Sequence, residues 1–535
     1  MNSISINRRA ALGSMLAAGG FFLLPGLASA KGAPLADAQP FSFDILKETA
    51  RALAATPWKP VEIPDAAVLD RIDYDQHNRI QFRPEKTLWL DEAPKSPVAP
   101  FFPGTYFRQP VRLHAVENGL AREMLFDLGL FQIPEDSPAN ELRHTRGFAG
   151  FRVKDAKTDL DWMAFLGASY WRTSGYTGQF GLSVRGLALD TAIQGPEEFP
   201  MFTQFWLEPG ENGDITAYAL LESPSATGAY RIVSRRDVDG VAGVHQDVTA
   251  AVWLRQGVER LGLAPLTSMY WFGKNNRHTA PDWRPEVHDS DGLEIHAANG
   301  ERIWRPLNNP PHTMVNTFSS PDVEGFGLMQ RERDFEQYQD DGVFYEKRAS
   351  VWVKPKGAWG DGAVTLVELR TDDEIHDNVV AFWQPAPRAE AGQAHEVEYS
   401  LTWLEDAPVA ARAARFLATR LGAGGVPGQP RPPRVVKVTC DLEDRGLADL
   451  GRGDGVTADI WTSKGTVDNV AVYPVVGTDR WRLMFDIDYS ALPEGDVDPI
   501  DVRAHVRLDD EAKSETLLLQ LFPVQLDRLL SARPA

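Results

Sequence analysis

Alternating apolar and polar positions run through most of this chain and predict β-strands. The strand candidates are short and rich in β-branched and aromatic residues, as in residues 122–127, 216–221, 229–233, 247–254, 350–354, 364–369, 379–383 and 396–404. One segment, residues 43–54, instead has helical spacing and predicts an amphipathic helix. Because frequent strands without alternating helices are typical of packed antiparallel sheets, we predict an all-β fold with a large antiparallel β-sandwich.

A Gly/Pro-rich segment at residues 421–433 is the clearest break in composition and predicts a linker or a mobile loop. About seven strand candidates follow it, with the rhythm of an immunoglobulin-like sandwich. We therefore predict a large sandwich over residues 31–420 and an immunoglobulin-like domain over residues 434–535. The alanines of residues 410–420 favour a helix, whereas their position among strand candidates favours a strand. The sequence therefore leaves the secondary structure of this segment undecided.

The N-terminus has the pattern of an export signal. Arg8 and Arg9 precede a weakly apolar Ala/Gly-rich stretch, and Ala28-Ser29-Ala30 forms a cleavage site. The paired arginines predict twin-arginine export with residues 1–30 removed, and an ordinary secretory signal is the alternative. Both place the mature chain in the periplasm. No later apolar run of about 20 residues exists, so we expect no stable membrane insertion.

Charge and composition limit the classes of binding partner that the chain is suited to. The formal net charge is −20, from 75 acidic and 55 basic residues, which argues against nucleic acid and suits a neutral ligand. Fifteen Trp, 26 Phe and 12 Tyr could offer platforms for sugar rings, although in a β-rich protein most aromatics pack in the core. The single cysteine, Cys440, excludes an intrachain disulfide and lies in a strand-like run, which predicts a buried structural thiol.

Residues 284–296 are the richest candidate for chemistry, with four acids and two histidines. Asp289-Ser-Asp-Gly292 is turn chemistry, so the simplest interpretation is a solvated turn. A metal site of His288, Asp289, Asp291 and His296 is conceivable, but such turns often lack a metal, and we predict no metal and no cofactor.

A second acidic cluster occupies residues 371–378, between two strong strand candidates, and therefore predicts a loop at a sheet end. Two acid-rich turns in an exported sandwich make a glycosidase-type carboxylate pair conceivable, whereas two unrelated solvated loops are the alternative. Phosphate-binding glycine loops, a serine nucleophile elbow and paired-cysteine zinc motifs are all missing from the sequence.

Long collinear motifs carry a resemblance to a known family. They are Arg71-Ile-Asp-Tyr-Asp75, Ile80-Gln-Phe-Arg-Pro-Glu-Lys-Thr-Leu-Trp89, Phe165-Leu-Gly-Ala-Ser-Tyr-Trp171, Gly181-Leu-Ser-Val-Arg-Gly-Leu-Ala-Leu-Asp190, Glu197-Glu-Phe-Pro200, Ala264-Pro-Leu-Thr-Ser-Met269, Arg305-Pro-Leu-Asn-Asn309, Gly325-Phe-Gly-Leu-Met-Gln330, Arg333-Asp-Phe335 and Trp352-Val-Lys-Pro355. Over nearly the whole mature chain, the sequence resembles the OpgG/OpgD (MdoG/MdoD) periplasmic glucan biosynthesis family. The twin-arginine signal makes it more similar to the D branch.

The resemblance implies a galactose-mutarotase-like sandwich, an immunoglobulin-like domain and a role with osmoregulated periplasmic glucans, which have a β-1,2-linked backbone. It implies an inverting endo-β-1,2-glucanase or a transglycosylase, with Asp377 as the general acid and Asp289 as the base-side carboxylate, acting through a water chain. The candidate substrate-binding residues that accompany this pair are Tyr345, Gln330, His288, Asp291 and Trp352.

The sequence departs from the family pattern at Glu332, His376 and Trp171, which leaves the balance between hydrolysis and glycosyl transfer open. The second functional hypothesis is a non-catalytic scaffold that binds glucan and guides its synthesis or branching. A homodimer is compatible with both hypotheses, because the Gly/Pro-rich loop could reach the cleft of a partner subunit, although a plain linker fits its composition.

Overall fold

The computed structural model of the protein describes residues 32–407 and 413–531, so the predicted signal peptide lies outside the described residues. In the first third of the chain the strands are β1 (Gln39–Pro40), β2 (Gln81–Phe82), β3 (Val98–Phe101), β4 (Arg112–Glu117), β5 (Leu120–Met124), β6 (Phe131–Gln132), β7 (Gly150–Lys154), β8 (Asp161–Leu166), β9 (Tyr170–Thr173), β10 (Ser183–Arg185) and β11 (Ala188–Leu189).

The central strands are longer. They are β12 (Met201–Pro209), β13 (Ile215–Glu222), β14 (Ala226–Arg236), β15 (Val244–Leu254), β16 (Leu261–Ser268), β17 (Tyr270–Phe272), β18 (Val287–His288), β19 (Gly292–His296), β20 (Arg302–Pro306), β21 (Met314–Ser319), β22 (Gly325–Met329), β23 (Ser350–Pro355), β24 (Gly362–Glu368), β25 (Val379–Pro385) and β26 (Ala394–Leu404).

The C-terminal strands are β27 (Phe416–Ala423), β28 (Val435–Glu443), β29 (Val456–Thr462), β30 (Thr466–Pro474), β31 (Arg480–Asp488), β32 (Ile500–Leu508), β33 (Glu511–Ala512) and β34 (Thr516–Leu521). The α-helices of the described residues are α1 (Phe43–Ala54), α2 (Ala66–Leu69), α3 (Tyr74–Asn78) and α4 (Pro523–Ser531). Among these residues, no helix combines the length and apolar composition needed to cross a membrane.

The predicted helix is confirmed with its predicted bounds as α1. Its N-terminus is capped by Ser42, whose Oγ accepts a hydrogen bond from the Ile45 N–H at 3.2 Å. Leu46 and Ala50 are buried on one face and pack in a cluster with Tyr218 of β13. The helix therefore covers the outer face of the sheet with the apolar side that its sequence spacing predicts.

Two large sheets form the N-terminal sandwich, and one of them continues into the C-terminal strands. A 16-stranded sheet runs in the order β1-β5-β4-β12-β13-β14-β15-β26-β23-β22-β19-β20-β34-β32-β29, with β33 beside β32. A 10-stranded sheet runs in the order β21-β24-β25-β16-β10-β9-β8-β7-β3, with β11 beside β16. One hydrophobic cluster contains side chains of both sheets, such as Phe165 and Phe205. The all-β sandwich prediction is confirmed, although β4–β12 and β20–β34 pair in parallel.

The C-terminal strands form a second sandwich. A four-stranded sheet, β27-β28-β31-β30, shares a hydrophobic cluster with β32 and β34 of the large sheet. Cys440 of β28 is fully buried in this cluster, where burial raises the pKa of its thiol to about 12. The predicted structural role of this thiol is consistent with that position.

The Gly/Pro-rich segment connects two paired strands. Leu421 to Ala423 belong to β27, which pairs with β28, so residues 424–434 form the connection within this hairpin. Phe416 begins a strand, whereas residues 408–412 lie outside the described part of the chain. The predicted domain boundaries stay a prediction, and the pairing of β27 favours a boundary before Phe416.

Candidate functional site

The turn that follows β18 buries Asp289 completely. The short pair of β17 and β18 brings this residue against Met269, whose carbonyl oxygen accepts a hydrogen bond from the Asp289 N–H at 2.9 Å. The Asp289 carboxylate forms an ion pair with the guanidinium of Arg348, whose side chain is only 10% exposed. A buried guanidinium stabilises the ionised form of its carboxylate partner, so this pairing favours the ionised form of Asp289.

Asp291 shapes the turn, as its sequence context predicts. Its Oδ2 accepts hydrogen bonds from the backbone N–H groups of Arg331, at 2.6 Å, and Glu332, at 2.7 Å. Its own N–H donates to the carbonyl oxygen of Met329 at 2.7 Å. These bonds fix the start of β19 to the end of β22 beside it.

His288 is fully buried between acceptors on both sides of its ring. Nε2 lies 3.2 Å from Oε2 of Glu286, and Nδ1 lies 3.1 Å from Oε1 of Gln330. Burial alone would lower the pKa of His288, but the carboxylates of Asp291 and Glu286 raise it above the usual value. Because both ring nitrogens face acceptor oxygens, these contacts favour the doubly protonated imidazole.

Lys274 supplies the second positive charge of this buried cluster. Its Nζ forms an ion pair with Glu286 and another, at 2.9 Å, with Glu332. Burial alone would lower the pKa of Lys274, but the nearby carboxylates of Glu286 and Asp291 raise it. Burial likewise opposes ionisation of Glu286, yet its hydrogen bond from His288 and the charge of Lys274 lower its pKa.

Among the described residues, the one group with metal-ligand spacing consists of Glu286, His288 and Asp291. Lys274 forms an ion pair with Glu286, and Nε2 of His288 lies 3.2 Å from Glu286 and 3.6 Å from Asp291, so these carboxylates already have partners within the protein. His296, the fourth residue of the conceivable metal set, bonds Glu294 at 2.7 Å instead. The chemistry of the donor set thus favours a charge-paired network over a metal site.

Gln330 and Tyr345 join the elements around the turn. The Gln330 amide donates hydrogen bonds to the carbonyl oxygens of His288 and Tyr345, both at 3.2 Å. The Arg348 guanidinium lies over the Tyr345 ring at 4.2 Å, so Tyr345 and Asp289 share this one cation. Gln330 and Tyr345 are 1% and 2% exposed, respectively, and therefore support the site from within the protein.

Asp377 lies half-buried in the loop between β24 and β25, as the sequence predicts. The next residue, Asn378, anchors this loop. Its Oδ1 accepts from the Tyr270 N–H at 2.8 Å, and its Nδ2 donates to the carbonyl oxygens of Tyr270 and Leu369. At the start of the loop, the Asn309 side chain bonds both the N–H and the carbonyl oxygen of Thr371.

Two contacts join the acidic loop to the Asp289 side of the site. The Tyr345 hydroxyl donates to Oε2 of Glu374 at 2.5 Å, and Arg284 binds both oxygens of the same carboxylate at 3.0 Å. Arg284 also contacts Asp340 at 2.7 Å. The two acid-rich segments are therefore neighbours in the structure. They are not two unrelated solvated loops, which was the alternative interpretation of the sequence.

The structure thus brings together His288, Asp289, Asp291, Gln330 and Tyr345, with the loop of Asp377 held beside them. Trp352 lies apart from this group. Its indole is 1% exposed, contacts the His296 ring at a centroid distance of 4.5 Å and belongs to the cluster shared with the C-terminal sandwich.

Several residues of the site had no role in the sequence interpretation. They are Lys274, Arg284, Asn309, Arg348 and Glu374. Arg284 and Glu374 lie in the two acid-rich segments, and Asn309 lies in one of the family motifs. These positions were the available sequence signal that the three residues belong to the site. Lys274 and Arg348 carry no local signal, because their partners are set by the tertiary fold.

The model of one protein family, described as "Periplasmic glucan biosynthesis protein, MdoG", matches residues 41–521. The chain is 45% identical to glucans biosynthesis protein D 2 of Ralstonia nicotianae, over 96% of this chain and 97% of that protein. It is 43% identical to glucans biosynthesis protein D of Stenotrophomonas maltophilia, over 95% and 96% of the two chains.

Among solved structures, a galactose mutarotase related enzyme from Lactobacillus acidophilus is 12% identical and covers 49% of this chain and 92% of its own, with a TM-score of 0.20. This similarity is too weak for an argument, whereas the family match spans both sandwiches and every residue of the site. The chain belongs to the family of periplasmic glucan biosynthesis proteins.

Proposed function

We propose that the protein is a periplasmic enzyme that acts on linear β-1,2-glucan by an inverting mechanism, as an endo-hydrolase or a transglycosylase. The observation that carries this proposal is the contact network that joins the Asp289 turn to the Asp377 loop through Arg348, Tyr345 and Glu374. Membership of the glucan biosynthesis family supports the glucan partner, and the export signal predicted at residues 1–30 supports the periplasmic location.

The two carboxyl groups of the proposed pair lie in different environments. Asp377 lies half-buried in the loop between β24 and β25, where its carboxyl is accessible to a bound chain. Asp289 is fully buried and paired with Arg348, which favours the ionised carboxylate before the reaction, the form that can accept a proton. This proposal gives the acid role to Asp377 and the proton-accepting role to Asp289.

In the proposed step, Asp377 donates its proton to the leaving oxygen as the bond from that oxygen to C1 breaks. A hydroxyl of water or of a sugar forms the new bond to C1 from the opposite face and gives up its proton. Because Asp289 is fully buried, that proton reaches it through an intervening relay and not by direct contact. Water as the attacking group gives hydrolysis, and a sugar hydroxyl gives transglycosylation.

Replacing Asp377 with Asn tests the acid role. We expect the D377N substitution to lower turnover of linear β-1,2-glucan by roughly 10²–10⁴-fold, because the amide cannot donate the proton, while glucan binding survives. Chromatography of the products follows turnover and also separates shorter linear chains from cyclic or branched products. Calorimetric titration of the inactive variant with glucan follows binding.

Asp372 offers a matched control in the same loop, since its side chain is 85% exposed and forms an exposed ion pair with Arg370. The D372N variant should retain wild-type turnover within about twofold. Equal turnover of D377N and wild type would remove the acid assignment. Intact glucan after long incubation with the wild-type protein, across pH and salt, would instead favour the non-catalytic scaffold.

A further inference from the structure

Trp283 is the most exposed tryptophan among the described residues, with 70% of its surface accessible to solvent. It lies at the start of the acid-rich stretch, directly before Arg284. Large aromatic side chains are normally buried, because leaving an indole in water forgoes a favourable transfer free energy. An indole held in water beside a candidate active site therefore points to a ligand that covers it.

The backbone that carries this indole is held on both sides of it. The Asp282 carboxylate accepts from the Arg284 N–H at 2.9 Å and pairs with the Arg284 guanidinium at 3.0 Å. Arg284 in turn binds Glu374 of the acidic loop and Asp340. Trp283 thus stands on a segment fixed to the loop that carries Asp377, and two residues separate Glu374 from this proposed acid.

A second exposed apolar side chain is held by the same charge cluster. The Val343 N–H donates to Oδ1 of Asp340 at 2.9 Å, and the Val343 side chain is 39% exposed. The carboxylates of Asp282, Asp340 and Glu374 all pair with Arg284, the residue after Trp283, so these charges beside the indole-bearing segment are balanced. Such a surface suits a neutral ligand with an apolar face.

We propose that Trp283 is the platform of a glucose-binding subsite beside the loop of the proposed acid, where one pyranose ring of the glucan stacks its C–H face on the indole. This inference rests on the proposed function. It adds to that function the position of one sugar ring, next to the loop that carries Asp377. A pyranose ring is neutral, has an apolar C–H face, and carries hydroxyls around its rim. The subsite contributes to binding along the chain and not to the bond-breaking step.

The test compares Trp283→Ala with Trp461→Ala on linear β-1,2-glucan. Trp461 is the matched control, because it is 57% exposed but lies on β29 of the C-terminal sandwich. We expect W283A to raise KM about tenfold with kcat changed less than twofold, the signature of lost uniform binding. Trp283→Phe should restore most of the affinity, since a phenyl ring preserves a stacking face.

The length of the oligosaccharide substrate provides a second readout. A merely structural role of Trp283 would give the same KM increase at every substrate length. The KM increase of W283A should disappear for oligosaccharides too short to reach the subsite. An unchanged KM for W283A, or an equal increase for W461A, would overturn the inference.

Binding measurements separate failure of this inference from failure of the proposed function. If the wild-type protein does not turn over the glucan, the proposed function fails, and Trp283 is then tested by calorimetric titration with linear β-1,2-glucan. An affinity about tenfold weaker for W283A than for wild type would support the subsite, and equal affinities would overturn it.

Discussion

Each buried charge near the candidate carboxylates has a partner of opposite sign. Arg348 pairs with Asp289, and Lys274 pairs with Glu286 and Glu332. Removing one partner of such a pair leaves the other charge buried without compensation, which costs far more than breaking an exposed pair. At the scale of the residue, the site is therefore sensitive to loss of cations as well as of carboxylates.

Arg348→Met is the sharpest stability test of this pairing. We expect it to lower the free energy of unfolding by roughly 3–5 kcal/mol, because Asp289 would remain as a buried anion. Urea denaturation followed by circular dichroism provides the measurement. Arg370→Met is the control, since both side chains of the Arg370–Asp372 pair are exposed, and it should cost less than about 1 kcal/mol. Equal losses in the two variants would contradict the pairing argument.

His288 predicts a pH dependence of stability. Its pKa is raised in the folded state despite burial, through the carboxylates of Asp291 and Glu286, with Lys274 opposing them. The stabilisation is therefore fully present below the ordinary pKa of about 6.5 and is lost as the pH rises through the higher folded value. We expect this loss in wild type and not in His288→Asn, measured by denaturation at a series of pH values. Parallel pH profiles of the two proteins would argue against a protonated His288.

At the scale of the element, glycines on β22 make room for Trp352 of β23. A Cβ added at Gly325 would lie 2.5 Å from the Trp352 ring, and one at Gly327 would lie 2.3 Å from the Val351 carbonyl oxygen. The indole of Trp352 therefore lies against bare backbone. This packing gives Trp352 a structural task at the boundary between the sandwiches.

Gly325→Ala should be destabilising by roughly 1–3 kcal/mol, because the added methyl group forces the buried indole of Trp352 out of its position. Thermal unfolding monitored by tryptophan fluorescence would detect both the loss and the displaced ring. Gly422→Ala is the control, since a Cβ at that position of β27 meets nothing within 4 Å. A Gly325→Ala protein as stable as Gly422→Ala would show that the ring can move without cost.

Sequence patterns predicted secondary-structure elements well where interactions between residues close in sequence determine the element. Helix α1 has its predicted bounds because the apolar spacing and the Ser42 cap agree. The parallel pairing of β20 with β34 was not predictable, since Ile303 and Thr516 are brought together only by the complete fold. Likewise, the two acid-rich segments were visible in the sequence, but Arg348, which joins them through Asp289 and Tyr345, had no local signal.

At the scale of the whole molecule, Arg331 ties the candidate site to the C-terminal sandwich. Its backbone N–H binds Asp291, while its guanidinium binds Glu294, Glu515 and the carbonyl oxygen of Phe416. The side chain is 3% exposed and lies over the Trp304 ring at 3.5 Å. Arg331 thus joins the two sandwiches through its side chain and contacts the turn of Asp289 through its backbone.

We expect calorimetry of the wild-type protein to show one cooperative transition, because a continuous sheet and Arg331 link the two sandwiches. Arg331→Met should lower stability by roughly 3–5 kcal/mol and separate the unfolding of the C-terminal sandwich from the rest. Arg302→Met, at a partly exposed pair with Glu324, should leave the single transition in place. A single transition at the wild-type temperature in Arg331→Met would show that the sheet alone suffices.

The lone thiol of Cys440 gives this large protein an internal reporter. Because the side chain is fully buried in β28 and its thiol is held protonated, a sulfhydryl reagent can react only after β28 separates from its neighbours. Labelling under native conditions would therefore count spontaneous openings of the C-terminal sandwich, one covalent event per molecule and without an added tag. Mass spectrometry of the adduct would turn that count into an opening free energy for this half of the protein alone.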